Sequence, residues 1–236
     1  MTRRRFIADE VEGDRAALLG EHATHLSKVL RAQIGQEFDI AADGSVRLGE
    51  IVNITNDRVE FLLREAVTPT AAQREVTLFL SIFKFDRMEW AIEKATELGV
   101  ASIVPVIARR TESHLASAAA KRVERWRRIA REAAQQSRRA AEPVISDLHN
   151  PKDTIAASQG LRIVLSEHDS PARVSLKQIL HENPEGPLII AIGPEGGWTE
   201  EEFEFFQKSG WLFASLGPTI LRAETAAIAA LAIAIS

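Results

Sequence analysis

With 236 residues, 45% of them apolar and 26% charged, the chain has enough hydrophobic material for a sizeable core and reads as globular rather than disordered. It contains no cysteine, which excludes disulfides, thiolate metal sites and a cysteine nucleophile and agrees with a reducing, cytoplasmic setting. The net charge of −4 argues weakly against a nucleic-acid partner, yet residues 121–139 hold eight basic side chains against two acids, Glu124 and Glu132, and distribution matters more than the sum.

The basic amino terminus is followed by Asp9, Glu10 and Glu12 rather than by an apolar run, so no secretory signal is expected. Leu18, His22, His25, Leu26, Val29 and Leu30 fall roughly on one face of a predicted helix. From Gln36 to Arg64 short β runs follow, broken by turn signals at 42–45 and at Asn56-Asp57; Val59, Phe61 and Leu63 alternate with Arg58, Glu60 and Arg64, Leu62 being the exception, as half-buried strands of a small barrel or sandwich do. Residues 66–73 lack periodicity and contain Pro69. They mark a boundary between an amino-terminal domain, 1–70, and a second domain, 74–236.

In the second domain the rhythm becomes strand, helix, strand. Strands are predicted at 76–83, 102–107, 161–165, 188–192 and 212–215, and helices at 86–98, 118–139 and 200–208. Such alternation implies an α/β domain on a mainly parallel sheet. The uncharged run 226–235 is about half of a bilayer span, so it reads as a helix buried on nearly every side and no membrane partner is expected.

Ligands of such sheets bind beyond the carboxyl ends of the strands, which directs attention to the loops 166–171, 193–199 and 216–225. In the second of these, Gly193-Pro194-Glu195-Gly196-Gly197-Trp198-Thr199, glycines permit close approach to the backbone and leave amides free to donate. Thr199 and Glu202 form a capping box, and the acids of the first turn disfavour a phosphate there. Neither GxxxxGK nor GxGxxG is present. In the third, Arg222 and Glu224 stand at the mouth of the uncharged helix, where a fixed charge needs a partner. Arg222 either pairs with Glu224 or Glu195 or serves a ligand. The six histidines show no metal-ligand spacing, so no metal is expected.

GPEGG before a helix, followed by SLGPTILRAETAAIAAL, resembles the small-subunit ribosomal RNA uridine-N3 methyltransferases, a branch of the knotted SPOUT methyltransferases. HLSKVLRAQIGQEFDIAADG (25–44), RMEWAIEKATELGVASIVP (87–105) and RWRRIAREAAQQSRRAAEPVI (125–145) fit the same family in order. Phe85, where glycine is common, and Glu93, where glutamine is frequent, depart from it.

The resemblance implies a PUA-like RNA-binding barrel followed by a deeply knotted α/β domain, a homodimer, and S-adenosylmethionine bound in the knot. The adenine would rest among Leu216, Gly217, Ile220, Leu221 and Ala226, with Leu165, Gly193, Pro194, Glu195, Gly196, Arg222 and Thr225 completing the pocket. N3 of uracil must lose a proton to attack a methyl group. Arg222 is suited to stabilising charge on a carbonyl oxygen of the base, and Glu195 or Glu224 to taking the proton or orienting the arginine. The implied partner is 16S ribosomal RNA or the assembled small subunit, with phosphates met by Arg3, Arg4, Arg5, Arg31, Arg122, Arg127, Arg128, Arg131 and Arg138. Trp126 is expected in the core. Alternatives are a related enzyme acting on ribose 2′-oxygen or on transfer RNA, or a non-catalytic assembly factor.

Overall fold

Val59, Phe61 and Leu63 are buried on one strand while Glu60 and Leu62 between them are half-covered and Arg64 is exposed, the period-two pattern of a sheet with one covered face. In the computed structural model, which describes residues 4–42, 45–67, 74–137, 139–152, 155, 159–166 and 174–235, this strand belongs to the first of two compact units. That unit comprises Met1–Ala72 with Ala134–Glu142, and the second comprises Gln73–Ala133 with Pro143–Ser236. The short stretch 134–142 is therefore grouped with the amino-terminal unit, a feature that a single linear boundary near residue 70 does not capture. The boundary residues 68–73 and the 43–44 turn lie outside the described residues.

Among the described residues the first unit has six strands: β1 (Arg5–Ile7), β2 (Glu10–Glu12), β3 (Arg15–Leu19), β4 (Glu37–Ala42), β5 (Ser45–Ile54) and β6 (Arg58–Val67). They form one mixed sheet in the order β1-β4-β5-β6-β3-β2. β1 and β4 run parallel and the other pairs antiparallel. Phe6, Leu18, Ile40, Ile51, Val59 and Phe61 fill its core. The helix predicted from Leu18 onward starts later, because Leu18 pairs with Val59 as part of β3. A short helix, α1 (Gly20–Thr24), runs into a π-helix, His25–Val29. The wider π turn alters the face that 3.6-residue spacing predicts: Leu26 is fully buried, whereas Val29 is 65% exposed.

The second unit contains β7 (Val76–Ser81), α2 (Phe85–Leu98), β8 (Ser102–Val106), α3 (Ser113–Ala119), α4 (Val123–Gln136), β9 (Val144–Ile145), β10 (Leu161–Leu165), β11 (Val174–Ser175), α5 (Leu176–Glu182), β12 (Leu188–Ile192), α6 (Glu200–Lys208), β13 (Leu212–Ser215) and α7 (Ala223–Ile235), with the last residues of α4, from Ala134, counted with the first unit. The described strands form a seven-stranded sheet in the order β11-β13-β10-β12-β7-β8-β9. Every pairing is parallel, as the alternation of strands and helices predicts. The helix expected over 118–139 is divided, α3 and α4 being joined by a 3-10 turn at Ala120–Arg122. Trp126 is fully buried, its ring centroid 6.2 Å from that of Phe85.

α7 departs from the expectation of burial on all sides. Ala223, Glu224, Ala227, Ala230 and Leu231 are buried, against α2, α5, β7 and β12. Thr225 and Ala232 are exposed and Ala226, Ala229 and Ile233 only half-covered. The helix lies in an outer layer of the second unit, so just one face meets the core although 226–235 is apolar on every side.

Candidate functional site

β13, β10 and β12 are neighbours in the sheet, and the loops leaving their carboxyl ends enclose a cavity of about 680 Å³. This volume falls within the range of small-molecule sites. β10 contributes Leu165 and Ser166, β12 the loop from Gly193 to Trp198, and β13 the segment from Leu216 to Ala226 apart from Pro218, Glu224 and Thr225. The strand order reverses here, since the chain runs β7-β8-β9 in one direction and then places β10 and β12 on the other side of β7. A crevice forms naturally at such a switch.

Aromatic packing holds the β12 loop. Trp198 is 3% exposed and stacks edge-on with Phe206 at 5.0 Å, which meets Trp211 at 5.1 Å. A Cβ at position 193 would lie 3.2 Å from the Trp198 Nε1, so glycine there allows the indole to close over the strand end. Gly197 has φ of 69° and donates to the Pro194 carbonyl at 2.8 Å, closing a tight turn. Gly196 owes its place to close approach rather than to φ. Its φ is not positive, and a Cβ there would come 3.3 Å from the Cβ of Arg110. The capping box forms as predicted: Thr199 Oγ1 accepts from the Glu202 N–H at 3.3 Å, and Glu202 Oε2 accepts from the Thr199 N–H at 2.8 Å.

The β13 loop is shaped by Ser215. Its hydroxyl donates to the Gly217 carbonyl at 3.0 Å and accepts from the Gly217 N–H at 3.2 Å. Beyond it Ile220, at the cavity wall, is 79% exposed. Leu221, Arg222 and Ala226 complete that side, and the Arg222 carbonyl accepts from the Ala226 N–H at 2.8 Å as α7 begins.

Of the residues singled out from the sequence, Leu165, Gly193, Pro194, Glu195, Gly196, Leu216, Gly217, Ile220, Leu221, Arg222 and Ala226 all line this one cavity. Thr225 does not; it is the exposed residue one position before Ala226. Glu224 does not either. It is 7% exposed, and its Oε1 lies 3.8 Å from the Nε of Arg87 on α2. Successive residues at a helix start point about 100° apart, so Arg222 and Ala226 can face the cavity while Glu224 turns toward α2. Arg222 is exposed and makes no ion pair among the described residues, so the pairing with Glu224 or Glu195 weighed from the sequence is not formed.

Arg110, on the loop after β8, is a cavity residue that the sequence did not single out. Its Nη1 donates to the Gly196 carbonyl at 2.8 Å and the Trp198 carbonyl at 3.3 Å. Its partners lie 86 and 88 positions away along the chain, and Arg109-Arg110 has no motif around it.

The basic segment is less free than its composition suggests. Arg125 forms paired hydrogen bonds with Glu89 at 2.7 and 2.9 Å, and Arg122 lies 3.7 Å from the same carboxylate and 4.9 Å from the centre of the Phe85 ring. Arg127 donates to Asp147, Glu124 and the Ile145 carbonyl. The carboxylates of Asp147 and Glu124 hold its guanidinium above the ordinary arginine range. Arg131 is half-buried, and burial lowers the Arg139 value. Lys121 and Arg128 are exposed without an ion pair among the described residues. In the first unit Arg5 lies 3.8 Å from Asp39, whereas Arg4 and Arg31 are exposed. Arg31 is the one described non-glycine residue with positive φ, 52°. Arg3 and Arg138 lie outside the described residues.

No group of three His, Asp or Glu side chains is placed to hold a metal ion among the described residues, and no described helix is long and apolar enough to cross a membrane.

An α/β unit with a glycine-rich cavity at the ends of three parallel strands defines a class that sequence comparison sharpens: residues 70–235 match the RNA methyltransferase domain. Ribosomal RNA small subunit methyltransferase E of Bacillus subtilis is 33% identical over 226 residues, covering 91% of this chain and 87% of the relative. Its counterpart in Mycobacterium bovis is 32% identical, covering 92% and 84%. The chain belongs to the ribosomal RNA small subunit methyltransferase E family. The crystal structure of the Neisseria gonorrhoeae protein of that name, bound to S-adenosyl methionine, superposes with a TM-score of 0.83 at 29% identity, over 98% of this chain and 95% of that one.

Proposed function

We propose that the protein methylates N3 of a uridine in 16S ribosomal RNA, using S-adenosylmethionine, in the cytoplasm. The observation that carries this reading is the cavity at the ends of β10, β12 and β13, with Arg222 exposed on its rim. Its wall suits an adenosine group. Ile220 and Leu221 offer apolar surface, Ile220 largely bare to solvent, and the glycine loops offer backbone amides and carbonyls to a base edge. When bound, S-adenosylmethionine supplies the methyl group on an electrophilic sulfonium.

The chain's own residues would do the rest. Arg222 would donate to a uracil carbonyl oxygen as N3 loses its proton, stabilising charge where it develops. Glu195, exposed in the cavity lining, is better situated than Glu224 to take that proton. The loops would act chiefly by orienting the two reactants, the effect that contributes most to a transfer of this kind.

The family likeness supports a PUA-like RNA-binding first unit, a knotted second unit and a homodimer. The half-covered apolar face of α7, with Ala229, Ala232 and Ile233, is consistent with a subunit contact. For phosphate contact the exposed Arg4, Arg31, Lys121 and Arg128 are better candidates than Arg122 and Arg127. The deciding experiment is methyl transfer from labelled S-adenosylmethionine to 16S RNA or to small subunits lacking the modification, with nucleoside analysis of the product. A 3-methyluridine peak is the expected result. A 2′-O-methylated nucleoside, or transfer to transfer RNA alone, would replace this reading, and binding without turnover would favour an assembly factor.

A further inference from the structure

Glu202 joins two loops that the sequence keeps far apart. Its carboxylate is buried and accepts from three donors: the Arg109 N–H at 2.9 Å through Oε1, and the Thr199 N–H at 2.8 Å and hydroxyl at 3.0 Å through Oε2. The loop after β8 is thereby tied to the start of α6, and the next residue, Arg110, itself on the cavity wall, reaches the carbonyls of the β12 loop. A peptide unit is rigid, so a hydrogen bond at its carbonyl and another at its amide fix its orientation. Two units of the β12 loop are held in that way. In the first, the Gly196 carbonyl accepts from Arg110 while the Gly197 N–H donates to Pro194. In the second, the Trp198 carbonyl accepts from Arg110 while the Thr199 N–H donates to Glu202. The aliphatic stem of Arg110 also lies against Gly196, 3.3 to 3.9 Å from where a Cβ would be.

We propose that Arg110 is the positioning residue of the cofactor loop, and that Arg110 and Glu202 together set the affinity for S-adenosylmethionine by holding the Gly196–Gly197 and Trp198–Thr199 peptide units in the binding orientation. The inference rests on the cofactor assigned under the proposed function. Arg110 acts through the loop rather than on the reacting atoms, so its signature is cofactor affinity. A free loop would have to be ordered when the cofactor binds, and that cost would appear as weaker binding.

The test is isothermal titration of S-adenosylmethionine and S-adenosylhomocysteine into the full chain, comparing wild type with Arg110→Ala, Arg110→Lys, Glu202→Gln and the double variant Arg110→Ala/Glu202→Gln, with RNA affinity and thermal melting measured in parallel. Arg110→Ala is expected to bind both cofactor forms about tenfold more weakly, the lower end of the effect of losing hydrogen bonds from a charged donor, because the guanidinium is exposed. Arg110→Lys should recover part of the loss, since an ammonium keeps N–H donors for the two carbonyls that share Nη1 but lacks the rigid guanidinium plane that aims them. The double variant should lose less than the two single losses combined, because both side chains restrain the Trp198–Thr199 peptide unit. Wild-type cofactor affinity in Arg110→Ala would overturn the proposal, as would a loss confined to RNA affinity, which would make Arg110 a contact of the RNA. If Arg110→Ala does not fold, Arg110→Met decides, since it keeps the aliphatic stem against Gly196 and removes every donor: full wild-type affinity in that variant counts against the proposal. A wild type that binds neither cofactor form would remove the proposed function and this inference together.

Discussion

The carboxylate of Glu224 lies 3.8 Å from the guanidinium of Arg87, yet Arg222, two residues before it, meets no carboxylate among the described residues and stands exposed at the rim of the cavity. The two charges of the Arg222-Ala223-Glu224 segment therefore have different work, one directed to the ligand and one to the fold, and variants at each position should separate them.

Arg222→Ala is expected to lower the single-turnover rate about ten- to a hundredfold with RNA and cofactor saturating, since a charge-assisted hydrogen bond made in the transition state is worth about 1.5–3 kcal/mol. Arg222→Lys should restore part of the rate. Because Arg222 is exposed and meets no carboxylate among the described residues, the melting temperature should barely move. A wild-type rate in Arg222→Ala would end the catalytic assignment.

Glu224→Ala should act on stability first. It leaves Arg87 without its partner at the junction of α2 and α7, and a loss of about 1–3 kcal/mol is expected, readable as a lower denaturation midpoint. Oε2 of Glu224 is buried without a hydrogen-bond partner among the described residues, so Glu224→Gln should be milder. If Glu224→Gln keeps its stability but loses turnover, Glu224 rather than Glu195 is the proton acceptor.

Gly196→Val should bind S-adenosylmethionine poorly while remaining folded. The backbone at 196 suits any residue, but the added side chain must displace Arg110 or enter the cavity. Gly197→Ala is expected to fail differently, since a φ of 69° costs an L-residue about 1 kcal/mol and loosens the turn itself. Calorimetric affinity equal to wild type in Gly196→Val would argue that the cofactor binds elsewhere.

A subunit contact through α7 cannot be tested at Leu231, which is fully buried in the core, where a charge would unfold the chain. Ala232→Glu places the charge on the exposed side of α7. Sedimentation should then show a dimeric wild type and a monomeric, folded variant. A monomeric wild type at micromolar concentration would remove the assignment.

RNA binding should weaken steeply with salt. Reversing Lys121 and Arg128 should flatten the salt slope by about one unit per lost phosphate contact without affecting the melting temperature. Reversing Arg127 should chiefly lower stability, because it breaks its bonds to Asp147 and Glu124. An unaltered slope in the Lys121/Arg128 variant would make that helix a plain solvated face.

The sequence by itself determined the features that depend on neighbours along the chain. The parallel α/β order follows from strands alternating with helices, the Thr199–Glu202 capping box from a spacing of three, and the cavity loops from glycines placed directly after apolar strands. What the tertiary structure alone decided are relations between distant segments. Arg110 reaches Gly196 across 86 positions, Arg125 is held by Glu89 and Arg127 by Asp147, and Glu224 is turned from the cavity to Arg87. Composition counts charges without their partners, and an arginine bonded to a carboxylate from another element reads in the sequence like one that faces solvent. The π-helix at His25–Val29 is a related case. One wider turn leaves the residue types unchanged but rotates the face they present, so Val29, expected on the buried side, is left in solvent.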